Sequence, residues 1–274
     1  MKKHFLNFLL VVLFTCLAAT NAFSQTDSTF ALNKTIAGDY SYFTIDNLDN
    51  IYLINNNNQL KKYNSKGDSA GIFNDVRKYG KLYYIDATNP LKLLLYYQNF
   101  ATIVVLDRFL NIRNVINLRK QNIFNVKAIA TSYDNNIWIY DEGDSKIKKI
   151  DENGEVIAET VDFRNVFDSI PSPNSITDQD GYVYLYDENK GFFIFDNYGT
   201  LKSKLPFLHW NNAAVTGTNL YGFSSDKLFQ YQTGSLNLKE FLLPQSFSNA
   251  VQVKAGNGKV YVLQKDGLQQ FNVK

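Results

Sequence analysis

His209 is the only histidine beyond the N-terminal leader, and Cys16, inside that leader, is the only cysteine. A Ser-His-Asp relay would have to be built on His209, yet no Gly-x-Ser-x-Gly strand-turn pattern accompanies it. With the leader removed, the chain has no thiol for nucleophilic attack, a disulfide or zinc ligation. Phosphate-cradling glycine loops are absent as well. Asn174, Asn212 and Asn249 could offer oxygens to a hard cation, but no carboxylate joins them at equivalent positions. A calcium site usually needs carboxylate oxygens to offset dehydration. Asp46, Asp49, Asp86, Asp134, Asp178 and Asp180 fall instead in segments read as hairpin turns, where Asp and Asn satisfy local backbone groups. No catalytic set, metal site or cofactor site emerges. What does stand out is basic residues interleaved with aromatics: Arg77, Lys78, Tyr79 and Lys81; Arg119 and Lys120 with Phe124 and Lys127; Arg164 with Phe167; His209 and Trp210; and Phe247. Such mixtures suit an acidic peptide, glycan or protein surface, because arginine and aromatic residues are enriched at interface hot spots. The plain alternative is a solvated, charged rim.

These residues must be positioned by strands. Phe43-Thr-Ile-Asp-Asn-Leu-Asp-Asn-Ile-Tyr-Leu-Ile54 is followed by Gln59-Leu-Lys-Lys-Tyr-Asn-Ser-Lys-Gly67, and the pattern returns at 132–154 and 177–199. Second strands are expected to start at Ile51, Leu91, Ile137, Val183, Leu220 and Val260, spaced 37 to 46 residues apart. Four short strands per unit at this period make the blade of a propeller, and no such unit can bury its apolar face alone. Outer strands are expected over 70–76, 112–118, 156–163, 201–208 and 238–243, with no helix longer than a turn or two. The sixth unit runs out of chain after its third strand, while Thr29–Ile36 stands before the first blade without a partner. Ring closure, with the N-terminal strand completing the last blade, would remove two exposed sheet edges. The fold expected is all-β: six four-stranded blades in one domain over 25–274.

At these residues the chain resembles NHL-type and related six-bladed propellers, whose units read roughly Asp-x-x-Gly-Asn-Ile-Tyr-Val-x-Asp and then an apolar strand ending Phe-Asp-x-x-Gly. The blades at 43–67, 128–154 and 174–199 carry the likeness well, and those near 83–112, 213–237 and 250–274 carry it loosely. Six-bladed hydrolases of the lactonase type hold calcium with Glu, Asp and Asn where the innermost strands begin. The matching positions here are Ser41-Tyr42, Lys81-Leu82, Lys127-Ala128, Pro173-Asn174, Trp210-Asn211-Asn212 and Asn249-Ala250, which makes Asn174, Asn212 and Asn249 channel candidates. The fold hosts binders, scaffolds, lactonases, lyases and receptors, so the resemblance implies no activity by itself.

Lys2, Lys3 and His4 precede an apolar run from Phe5 to Ala19, with small residues at Ala22 and Ser24. That pattern is a secretory signal, 1–24, too short and too early to be a transmembrane helix, and no later stretch is long enough to span a bilayer. Its removal takes Lys2 and Lys3 with it and leaves the 26 acids facing an equal number of bases. A balance near zero gives nucleic acid and anionic membranes no electrostatic warrant. Abundant Asn, Lys, Tyr and Phe look like an exported protein of the Bacteroidota, in the periplasm or attached to an outer-membrane complex. Asp27-Ser-Thr29, Asp68-Ser-Ala70 and Asp168-Ser-Ile170 match the glycan-attachment pattern of that group. The expected role is a non-catalytic module that binds other envelope proteins. A glycan- or peptide-binding propeller, or a lactonase- or lyase-like enzyme using the central channel, is the alternative.

Overall fold

Runs such as Ile51-Tyr-Leu-Ile54 and Leu93-Leu-Leu-Tyr96 combine β-branched, aromatic and leucine side chains without an internal glycine or proline. Such runs favour strands covered on both faces, and all eight of these residues are buried. The computed structural model describes residues 29–273 apart from Leu236. It places β1 (Phe30–Ala37) ahead of six consecutive units. Blade 1 is β2 (Tyr40–Ile45), β3 (Ile51–Asn55), β4 (Leu60–Tyr63) and β5 (Ser69–Phe73). Blade 2 is β6 (Tyr84–Asn89), β7 (Lys92–Tyr97), β8 (Thr102–Leu106) and β9 (Ile112–Asn117). Blade 3 is β10 (Val126–Thr131), β11 (Ile137–Asp141), β12 (Lys146–Ile150) and β13 (Val156–Glu159). Blade 4 is β14 (Ser175–Gln179), β15 (Tyr182–Asp187), β16 (Gly191–Asp196) and β17 (Leu201–Leu205). Blade 5 is β18 (Asn211–Thr216), β19 (Asn219–Phe223), β20 (Lys227–Gln232) and β21 (Leu238–Leu242). Blade 6 is β22 (Gln252–Gly256), β23 (Lys259–Gln264) and β24 (Gly267–Val273), completed by β1 in the sheet order β1-β24-β23-β22.

The chain is a six-bladed β-propeller, closed as the unpaired N-terminal strand implied. Its apolar interior is divided into six clusters, one at each junction between adjacent blades. Each blade is therefore half of two cores, which is why no single repeat could fold alone. The Phe-Asp-x-x-Gly part of the repeat has a local cause. Asn64, Asp107, Asp151 and Asp196 each accept, through Oδ1, the backbone N–H groups two and four residues on, tying the turn between third and fourth strands.

Outer strands stop earlier than the apolar pattern suggests. β13 ends at Glu159 rather than Phe163, because Asp162 caps a short 3-10 turn, accepting Arg164 N–H at 2.9 Å. β17 ends at Leu205, directly before Pro206, which has no N–H to continue a ladder. The predicted leader, with Cys16, and Asp27 lie outside the described residues. Among the described residues, no helix is long and apolar enough to cross a membrane.

Candidate functional site

Connections from outer strand to next inner strand, and the hairpins joining second to third strands, emerge on one face, here the upper face; the remaining hairpins form the lower face. An axial cavity of 360 Å³ opens on the upper side and one of 190 Å³ on the lower. They share Tyr84, Ser175, Ala213 and Lys254, which mark a waist.

Two inner strands begin three residues later than expected. β6 starts at Tyr84 rather than at Lys81-Leu82, and β22 at Gln252 rather than at Asn249-Ala250. The chain is still turning at Asn249, just past the 3-10 turn Gln245–Phe247. Asn249 is thus exposed on a loop and lines neither axial cavity, whereas Asn174 and Asn212 line the upper one. The same shift brings in residues the sequence pattern missed: Tyr84, Asp86, Gln252 and Lys254.

Asp86 is not a turn residue. It lies on β6, buried, and its Oδ2 accepts the Thr131 N–H of blade 3 at 2.6 Å. Its Oδ1 accepts Thr88 N–H at 3.0 Å and the Thr88 hydroxyl. Gln252 does the same on the other side, its Oε1 taking Phe43 N–H at 2.9 Å. Both side chains satisfy unpaired amides on the inner edge of a neighbouring blade, groups that would be costly to bury bare. Asp178 likewise reaches blade 3, accepting Trp138 Nε1–H at 2.8 Å and the Ser132 hydroxyl at 3.0 Å. Asp46 remains local, taking Leu48 and Asn50 N–H, both at 2.9 Å. Among the described residues, no three His, Cys, Asp or Glu side chains gather where they could hold an ion.

Lys254 lines both axial cavities and has no ion-pair partner among the described residues. Its Nζ donates to Thr44 Oγ1 at 3.2 Å and lies 5.4 Å from the centre of the Tyr42 ring. Burial penalises the ammonium and lowers its pKa to about 8, a shift that the negative charge of Asp86 only partly opposes. Burial also pushes the Tyr42 and Tyr84 hydroxyls well above their ordinary value, so both stay neutral at physiological pH. From about pH 8 to 10.5 the unfolded chain holds the Lys254 proton more firmly than the folded one, so stability rises with pH across that window. Lys254→Met is expected to be more stable than wild type at pH 7 by about 1–3 kcal/mol. That gap should close as pH approaches 10, which urea unfolding at a series of pH values would measure.

On the upper face, four expected contact residues turn inward. Tyr79, Phe167, Trp210 and Phe247 are buried in inter-blade clusters, where they close the wedge between blades instead of meeting solvent. Two of the rings still carry a cation over the face: Lys78 Nζ is 4.9 Å from the Tyr79 ring centre, and Lys204 Nζ is 4.4 Å from that of Phe167. Arg164 is held by Asp162, and Lys127 pairs with Glu142 at 3.2 Å. The acids of 141–144 and 187–188 lie in second-to-third-strand hairpins, hence on this same face. His209 is exposed, with φ at 58° and its N–H given to Glu188 O at 2.7 Å.

Arg77, Lys78, Lys81, Arg119 and Lys120 are exposed and have no ion-pair partner among the described residues. All five stand on the connections entering and leaving blade 2. On the same sector Tyr83, Phe100 and Phe124 are 48%, 51% and 62% exposed. Phe124 was expected there; Tyr83 and Phe100 were not. The basic-aromatic surface is thus one sector, not the whole rim.

No protein-family model matches the chain, and no curated protein does. Solved structures similar to it include a streptogramin B lyase, at a TM-score of 0.58 and 16% identity over 85% of this chain and 78% of that one. The Cps50 (Swd1) β-propeller domain of Myceliophteria thermophila aligns at 0.61 and 10% identity, over 89% of this chain and all of that one. PorZ, an essential surface component of the type-IX secretion system of Porphyromonas gingivalis, aligns at 0.50 and 12% identity. That match covers 88% of this chain and 38% of PorZ. Identities this low establish a shared fold and nothing finer.

Proposed function

We propose that this chain is a non-catalytic propeller of a bacterial envelope that docks partner proteins through the blade-2 sector of its upper face. The observation behind this reading is the group of five unpaired bases beside three solvent-facing aromatic rings. Exposed aromatic area supplies apolar contact, and bases free of ion pairs complement acidic groups on a partner. Periplasmic or outer-membrane-associated residence agrees with the leader read at 1–24 and with the shared fold of a secretion-system surface component.

The test is a four-fold charge reversal, Lys78→Glu, Lys81→Glu, Arg119→Glu and Lys120→Glu, compared with wild type in cross-linked pull-downs from envelope extract. Wild type is expected to retain a stoichiometric partner that raised salt releases and the reversal weakens about tenfold or more. Each exposed site should alter stability by no more than about 0.5 kcal/mol. Equal recovery by a folded variant, or no stoichiometric partner, would refute the reading.

A further inference from the structure

We propose that the upper axial cavity is a binding site for a sugar acid, a small hydroxylated carboxylate whose anionic group pairs with Lys254. This goes beyond docking on blade 2 and uses none of its five bases, although Tyr83 borders both surfaces. The cavity, at 360 Å³, falls in the size range of small-molecule sites. Lys254 and Lys127 are the charged side chains that line it, and no carboxylate does. Lys127 is engaged by Glu142 at 3.2 Å, while Lys254 has one hydroxyl partner, Thr44. Asp86, on the lower side of the waist, spends its oxygens on Thr131 and Thr88. The fold therefore holds a partly buried ammonium without an ion-pair partner, the nearest negative charge being the hydrogen-bonded Asp86 across the waist, an arrangement that favours an incoming anion.

The rest of the lining suits hydroxyl groups. Gln252 commits its carbonyl oxygen to Phe43, which leaves its NH2 as a donor, and Asn174, Ser175 and Tyr42 add donors and acceptors around the same space. Asn212 is placed by a bulge of a kind that the inner strands of blades 1, 2 and 3 also carry. The register between β18 and β19 jumps from Asn211↔Phe223 to Ala214↔Tyr221, one residue too many on the inner strand. Asn212 sits in that bulge with φ at 51° and lines the cavity. Bulges re-aim side chains, and asparagine adopts the left-handed backbone that this one needs.

NMR titration of the folded protein with galacturonate, galactose and succinate provides the test. Galacturonate is expected to shift resonances of the inner strands, and galactose to bind about tenfold more weakly or not at all. Lys254→Met should weaken galacturonate binding about tenfold or more, and wild-type binding should fall as pH rises through the titration of Lys254, near 8. Asn212→Ala, at an exposed position, should weaken galacturonate and leave succinate unchanged. Succinate binding as tightly as galacturonate would overturn the sugar half and leave a plain carboxylate site. No response to either anion, or equal galacturonate binding by Lys254→Met, would overturn the proposal entirely. The blade-2 charge reversal should leave galacturonate binding intact, so this result and the pull-down fail independently.

Discussion

Deleting Phe30–Ala37 is expected to abolish cooperative folding, although the segment precedes the first blade and touches neither axial cavity. β1 pairs with β24 from Phe30↔Val273 to Ala37↔Gly267 and is the outer strand of blade 6. It buries Phe30 against Phe247, ring centres 5.6 Å apart, and Phe247 in turn packs on Phe271 at 4.8 Å. Ile36 enters the separate cluster between blades 6 and 1, so the one strand supports two junctions. Losing two buried large side chains removes about 3–6 kcal/mol of apolar burial, before the newly exposed Leu268 and Phe271 are counted. That is comparable with the whole stability of a typical domain, about 5–15 kcal/mol. The fit is also close enough to demand glycine at the partner: a Cβ on Gly267, at φ 149°, would lie 2.3 Å from Ile36 O. The truncated chain should lose its thermal transition in circular dichroism and aggregate through the exposed β24 edge. A truncated protein that melts like the intact one would show that β1 is an accessory strand.

How far the sequence reveals this molecule depends on what each signal reports. Every expected second-strand start lies within one residue of the observed strand, because buried runs such as Ile137-Trp-Ile-Tyr140 are bounded by turn-forming Asp and Asn. Inner strands are less legible. Lys81-Leu-Tyr-Tyr-Ile-Asp86 alternates plausibly in either phase, and only tertiary contact decides that Tyr84 begins the strand. A slip of that kind exchanges the lining of an axial cavity, which is how Lys254 went uncounted and Asp86 was assigned to a turn while Asn249 was counted. Composition in the loops shows that bases and aromatics mix, but not which rings turn inward. Phe124 faces solvent and Phe167 does not, and the difference lies in the inter-blade gap that Phe163 and Phe193 leave for Phe167 to fill.

Trp210 is where that distinction has its largest measurable consequence. Read from sequence as a rim contact, it is instead the centre of a stack, parallel within 3° to Phe207 at 4.6 Å and to Phe229 at 5.3 Å. Phe192 meets its edge at 5.9 Å, and its backbone N–H is held by the Tyr186 hydroxyl at 2.6 Å. Beneath the indole lies Gly222, where an added Cβ would come within 2.4 Å of the Trp210 ring. With two parallel rings stacked on it and its backbone tied, the indole is closely held although it borders the upper axial cavity. Trp210→Ala should therefore cost about 3–5 kcal/mol, and Gly222→Ala about 1–3 kcal/mol by overpacking. The two must also be coupled: once Trp210 is gone, the methyl group at 222 enters the space it vacated, and Gly222→Ala should cost less than about 1 kcal/mol in that background. Urea unfolding of wild type, both single variants and the double variant closes the cycle. Additive losses would mean that Gly222 is small for some reason other than Trp210, and a Trp210→Ala variant of wild-type stability would return the residue to the rim.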